Sequence, residues 1–147
     1  MNEFIVQKKL KTQKKTRKNI RKKNDIIYKS KFWIWPSKGK ITIHSSRKKL
    51  EIFGKYNQPI LAAHEGQVVY VGNNIKGYGN LIILKHKNNY LSIYAHNNTI
   101  LVSKKQKIKS GQKIATMGKS NSNETKLYFE IRYRGKSIDP MSILTKK

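Results

Sequence analysis

The stretch Thr125–Tyr133, TKLYFEIRY, alternates apolar and polar residues without a break. A period of two belongs to a strand with one buried face: Leu127, Phe129 and Ile131 turn to a core, and Lys126, Tyr128 and Glu130 turn away from it. Shorter runs of the same kind recur along the chain: Lys40–His44, Pro59–Ala63, Gln67–Gly72, Leu81–His86, Tyr90–Ala95, Thr99–Val102 and Lys113–Met117. Asn88-Asn89 reads as a hairpin turn between two of them, and Gly66, Gly72, Gly77, Gly79, Gly111, Gly118 and Gly135 punctuate the rest. No long 3.6-residue periodicity competes and no internal repeat is evident. The expected fold class is all-β, built from antiparallel sheet.

At 147 residues with 37% apolar content, the chain suits one domain with a modest core. Residues 1–31 hold 12 Lys or Arg against Glu3 and Asp25, with almost nothing to bury. They read as a basic N-terminal tail, disordered or loosely helical. Composition shifts at Phe32-Trp-Ile-Trp-Pro36, so the β domain is expected over residues 32–147.

A net charge of +26 suggests an anionic partner. The charge is carried by 28 Lys and only 5 Arg, and Lys, Asn and Ile make up 60 residues, a bias that A/T-rich codons produce without any ligand. Arginine is the usual reader of bases and phosphates, so its scarcity argues against nucleic acid. With no cysteine there is no disulfide, thiolate metal site, cysteine nucleophile or lipidated N-terminal Cys. No run is long enough to span a membrane. Phe4-Ile-Val6 is too short for a signal-peptide core, so no export signal is expected from the visible start.

The four histidines, His44, His64, His86 and His96, are too scattered for a local zinc motif. A lone histidine in a β domain is ordinarily a surface or hydrogen-bonded core residue, although His96 follows a strand end, where sites cluster. Gly77-Tyr-Gly79 is not a phosphate loop, because no Lys-Ser or Lys-Thr helix start follows; a tight turn with a packed tyrosine is expected. Trp33 and Trp35, beside Pro36, are expected to open the core rather than to anchor at a membrane.

Taken in order, WPSKGKI, PILAAHEGQVVYVG, GYGNLIILKH, YLSIYAHNNT, IKSGQKIATMG and LYFEIRYRGKSIDPMSIL resemble the lysostaphin/LytM-type zinc metallopeptidase domain. The resemblance covers about residues 33–144 and implies the antiparallel LytM, or duplicated hybrid motif, fold. Active members of that family bind zinc through a histidine, an aspartate four residues later, and the second histidine of a His-x-His strand. Their catalytic histidines are the first of His-x-His and one in a Tyr-x-His block.

Carried over position by position, the resemblance places Arg47 on the first histidine, Glu51 on the aspartate, and Lys126 and Tyr128 on His-x-His. Only His96 keeps its family identity, as a base and not as a ligand. A catalytic zinc needs three protein ligands, and Glu51 alone is offered. His44, seven residues before Glu51, would need a shifted register to help. Arg47 and Lys126 are expected to bring fixed positive charge to the metal position, so no metal and no cofactor are expected.

Within the family, the resemblance is to the murein hydrolase activators of Gram-negative envelopes. It implies a catalytically inactive domain in peptidoglycan remodelling at cell division. The expected partners are an N-acetylmuramoyl-L-alanine amidase and peptidoglycan, met through a groove around Arg47, Glu51, His96, Lys126 and Tyr128, in the periplasm or cell envelope. Two alternatives stay open: a zinc endopeptidase cutting peptidoglycan cross-links with an unusual ligand set, and a basic protein binding nucleic acid or cell wall through residues 1–31.

Overall fold

The computed structural model describes residues 33–44 and 46–145; the basic tail read over residues 1–31 lies outside them. Among the described residues ten strands follow in chain order: β1 Lys40–His44, β2 Lys49–Phe53, β3 Pro59–Leu61, β4 Gly66–Gly72 and β5 Asn80–Lys85, then β6 Tyr90–Ile100, β7 Lys107–Ile108, β8 Lys113–Met117, β9 Lys126–Tyr133 and β10 Lys136–Ile138. They form one sheet in the order β1-β2-β9-β6-β5-β4-β7, with β10 on β9, and with β8 joining β3 to β6. Every pairing is antiparallel.

The register sorts side chains into two faces. Ile43, Leu50, Phe129, Tyr94, Ile82 and Val71 are successive cross-strand partners over β1, β2, β9, β6, β5 and β4. Most of this row is fully buried, and Tyr94 and Phe129 meet with ring centroids 5.3 Å apart. One position along, Thr42, Glu51, Tyr128 and Ala95 form the matching row on the opposite face. Leu127, Phe129 and Ile131 are buried as their alternation requires.

Three short strands, β2, β7 and β10, depart from the sequence reading, and so does the merging of two expected runs into one. β2, whose KLEIF alternation is only five residues long, was not among the expected strands, yet it carries Glu51. β6 is a single strand of 11 residues where two separate runs were expected. Its register against β5 shifts between Asn80 and Ile82, and His96 adopts φ 65° there. A residue with positive φ at such a bulge bends the strand and re-aims its neighbours. β9 and β8 take successive stretches of the edge of β6 on either side of that bend.

The expected turns are present: Asn88 and Asn89 both have positive φ between β5 and β6, as a type I′ turn requires. Gly77 and Gly79 also have positive φ and flank Tyr78, which packs on Tyr128. Trp33 is fully buried and Trp35 packs against the core.

His64 and His86 belong to the core. His86 Nδ1 lies 2.6 Å from the Glu65 carbonyl oxygen, so that nitrogen carries the proton. Nε2 is then an acceptor and takes the proton of Ser92 Oγ, 2.7 Å away. Ser92 Oγ is 2.8 Å from the Tyr94 hydroxyl, which in turn accepts from the Ala63 N–H at 2.9 Å. This chain satisfies buried polar groups only while His86 is neutral. Burial pushes the His86 proton affinity down to about 4, and His64 is lowered by burial as well.

Below its ordinary value near 6.5, the unfolded His86 binds a proton that the folded one refuses, so stability falls as pH drops toward 4. The expected loss from His86 between pH 7 and pH 5 is about 2 kcal/mol. Urea unfolding across that range measures it, and His86→Gln flattens the slope by a similar amount while lowering stability at pH 7.

Candidate functional site

The site lies on the sheet face opposite the large core, where β1, β2 and β9 meet the bend of β6. Glu51 on β2 pairs with Tyr128, and Phe53 with Lys126, so Glu51, Phe53, Lys126 and Tyr128 share one face. The Lys126 ammonium lies 2.7 Å from Glu51 Oε2 and 3.3 Å from Glu124 Oε1. The Lys126 and Glu51 side chains are only 11% and 17% exposed, so the pair is shielded from solvent. The ammonium also lies 5.3 Å from the centroid of the Phe53 ring, its cross-strand neighbour.

The second oxygen of Glu51 is also engaged: His44 Nε2 lies 2.8 Å from Oε1. The expectation that His44 needs a shifted register is therefore corrected. In the β1–β2 hairpin Thr42 faces Glu51 and His44 faces Lys49, which leaves His44 diagonal to Glu51 on the same face. Seven residues of sequence separation conceal a direct contact. Arg47 is the opposite case, since it is not brought to the Glu51 carboxylate. It lies in the turn before β2 with φ 69°, is 63% exposed, and bonds Asp139 at 3.1 Å. Of the two positive charges expected beside Glu51, only Lys126 is there.

His96 reaches the cluster from the bulge of β6. Its backbone N–H donates to the Tyr78 carbonyl at 2.9 Å. Gly79, with φ 59°, lies beside the His96 ring: a Cβ there would stand in ordinary contact with His96 Nδ1 at 3.4 Å. Burial lowers the His96 proton affinity; Lys126 lowers it further and Glu51 opposes both.

Tyr128 is held from two sides. Its ring meets Tyr78 edge-on at 5.7 Å, and its hydroxyl donates to Glu130 Oε2 at 2.5 Å. Glu130 is fully buried and also accepts from Arg132 and Ser137. Burial alone would raise that carboxyl; the donors Ser137, Tyr128 and Arg132 outweigh it and hold the group below its ordinary value. Burial and the Glu130 charge push the Tyr128 phenol up, so it remains a neutral donor. Sequence reasoning gave Glu130 no role, although the alternation of TKLYFEIRY already sets it on Tyr128's face.

The same balance governs the ion pair. Burial raises the Glu51 carboxyl, but the hydrogen bonds from Lys126 and His44 prevail and leave it lowered. Burial works against the Lys126 ammonium, while Glu51 and then Glu124 raise it. Both members stay charged at neutral pH. The donor set does not fit a zinc ion: one carboxylate is already shared between an ammonium and a histidine, and Tyr128 is locked to Glu130. Among the described residues no group of three or more His, Cys, Asp or Glu is placed to hold a metal.

An antiparallel domain with this strand order has the architecture of the LytM-type peptidases. Residues 45–140 match peptidase family M23, and the chain belongs to that family. It is 48% identical over 120 residues to the murein hydrolase activator NlpD of Escherichia coli K12, covering 78% of this chain and 32% of that protein. It is 49% identical over 117 residues to outer membrane antigenic lipoprotein B of Haemophilus influenzae, covering 76% of this chain and 29% of that one. The chain thus spans about a third of the length of these relatives. Among solved structures, a zinc-containing peptidase from Vibrio cholerae superposes with TM-score 0.67 at 25% identity, over 76% of this chain and 40% of that one. Lysostaphin from Staphylococcus simulans shares the fold at TM-score 0.62 and 23% identity, over 76% and 49% of the two chains.

Replacing Lys126 by Met leaves the Glu51 charge without its ammonium. The expected cost is roughly 1–3 kcal/mol in urea unfolding. The His96 pKa, followed by NMR, is expected to rise, because a neighbouring cation is lost while the carboxylate that favours imidazolium remains.

Proposed function

We propose that this domain is a catalytically inactive member of its family, acting in peptidoglycan remodelling during cell division as an activator of an N-acetylmuramoyl-L-alanine amidase. The observation that carries this reading is the Lys126–Glu51 ion pair, 2.7 Å long and largely shielded. It places a fixed ammonium on the one carboxylate that the family position would lend to zinc. Water activation by a metal is thereby lost, while the sheet face and its surrounding loops are kept. The 48% identity to a murein hydrolase activator supports the same reading.

The proposed contact surface is the groove around Glu51, His96, Lys126 and Tyr128, with Arg47 on its rim. Activation then requires only that this surface bind the amidase's active conformation more tightly than its inhibited one. The proposed setting is the cell envelope, in keeping with relatives named as outer membrane lipoproteins, and the proposed polymer at hand is peptidoglycan. The domain division, with a basic tail over residues 1–31 and the β domain over 32–147, remains part of the proposal.

The test is release of dye-labelled fragments from sacculi by a purified amidase, with and without this protein. The protein alone is expected to release nothing, and its addition is expected to raise amidase activity by roughly tenfold, which corresponds to a conformational bias of about 1.4 kcal/mol. Tyr128→Ala and Lys126→Glu are expected to abolish most of that gain. Hydrolysis by the protein alone, accompanied by near-stoichiometric zinc in elemental analysis, would overturn the reading in favour of a zinc endopeptidase.

A further inference from the structure

The sheet ends at β1, which pairs with β2 on one side and with no described strand on the other. The register shows which main-chain groups lie on that open edge. Just past β2, the Gly54 N–H donates to the Thr125 carbonyl at 3.4 Å in continuation of the β2–β9 register, so Gly54, Ile52 and Leu50 turn their main-chain groups to β9. Glu51 and Phe53 then turn theirs to β1, where they meet Thr42 and Lys40. The N–H and C=O of Ile41 and Ile43 are left pointing away from the sheet, and no described loop bonds to them. A row of such groups is a template for one more strand.

Edge strands are commonly blunted by a proline, a bulge or great shortness. β1 has five residues, no proline and an unbroken register with β2. What guards it is charge: residues 38–49 include Lys38, Lys40, Arg47, Lys48 and Lys49 and no acidic residue. Charge of one sign protects selectively. A second copy laid antiparallel on this edge about Thr42 would set Lys40 against His44 and bring two basic flanks together, and like charges across a ladder destabilise it. An acidic strand meets attraction instead. The two faces add a second condition. Ile41 and Ile43 pack against the core but stay only partly buried, whereas Lys40, Thr42 and His44 share the polar face. The strand that fits therefore alternates, with apolar residues beside the isoleucines and acidic residues beside Lys40.

We propose that the open edge of β1 is a docking site for an extended segment of a partner protein, one that alternates acidic and apolar residues and joins the sheet as a further strand. This goes beyond the activator reading, since any partner carrying such a segment satisfies it. Main-chain bonds to Ile41 and Ile43 hold the segment, the lysines select its charge, and the isoleucines select its alternation. Thr42 of β1 faces Glu51 of β2, so a partner held on this edge is brought to the rim of the ion-pair site.

The test is amide hydrogen exchange, read by NMR on the whole chain, with the end-blocked peptide EVEVEVE as the probe. The Ile41 and Ile43 amides are expected to exchange quickly in the free protein and to slow by roughly tenfold or more at saturating peptide, while Thr42, already bonded to β2, changes little. The rearranged peptide EEEEVVV and the basic peptide KVKVKVK are each expected to bind roughly tenfold more weakly than EVEVEVE. Methylating either the valine nitrogens or the glutamate nitrogens of EVEVEVE is expected to abolish binding in one series and spare it in the other, because only one edge of an added strand is bonded. Lys40→Glu, at an exposed position, is expected to weaken EVEVEVE by roughly fivefold with an unchanged melting temperature. Equal binding of EEEEVVV, loss in both methylated series or in neither, or no slowing at Ile41 and Ile43 at millimolar peptide would each overturn the assignment. Protection of those two amides without peptide would overturn it as well, in favour of a second copy if it weakens on dilution and of a segment of this same chain if it does not.

Discussion

Antiparallel register across β1, β2, β9 and β6 is the constraint on which the rest of the molecule depends. Side chains alternate with a period of two, so a slip of one residue would exchange the faces completely. In the observed register Leu50, Phe129 and Tyr94 fill the core side by side, and Glu51, Tyr128 and Ala95 lie back to back with them. The burial of the first row fixes the second. The side chains of the polar face can therefore vary without endangering the fold, because the hydrophobic row that sets its geometry is on the other side.

The polar face is internally balanced rather than left as a vacated pocket. Lys126 stands between Glu51 and Glu124, and His44 occupies the remaining oxygen of Glu51. Tyr128 is tied to a buried carboxylate that has two further donors. An unpaired charge at this depth would be costly, and the buried charges of this face are each met by a partner. The result is a preorganised surface of neutral and paired groups. Such a surface suits recognition, since little side-chain freedom is left to lose on binding.

Much of this was legible in the sequence because alternation and turn chemistry are local signals. TKLYFEIRY announced its strand and its faces, and Asn88-Asn89 announced its hairpin. The ion pair between Glu51 and Lys126 is among the pairings that those residue types allow. What the sequence concealed was non-local. β2 is too short to stand out, and the contact of His44 with Glu51 exists only because a hairpin folds one onto the other. Arg47 was misplaced for the same reason: its position in a turn, not its sequence spacing from Glu51, decides where its side chain goes, and Asp139, far along the chain, takes it. The role of Glu130 depends on depth of burial, which spacing alone does not encode.

The bulge at His96 joins these observations. By adding a residue to β6, it lets a single strand serve two neighbours in succession, β9 before the bend and β8 after it. The same bend turns His96 toward Lys126 and Glu51 and buries Asn97 inside the sheet. A straight β6 would continue the alternation through residue 96 and carry Asn97 to the other face. The positive φ of His96 costs of order 1–3 kcal/mol for a residue with a Cβ, and it persists because pairing on both edges of β6 over-determines it. The irregularity that hands the edge of β6 from β9 to β8 therefore also sets His96 beside the ion pair, so strand pairing and the charge arrangement of the polar face follow from one feature of one strand.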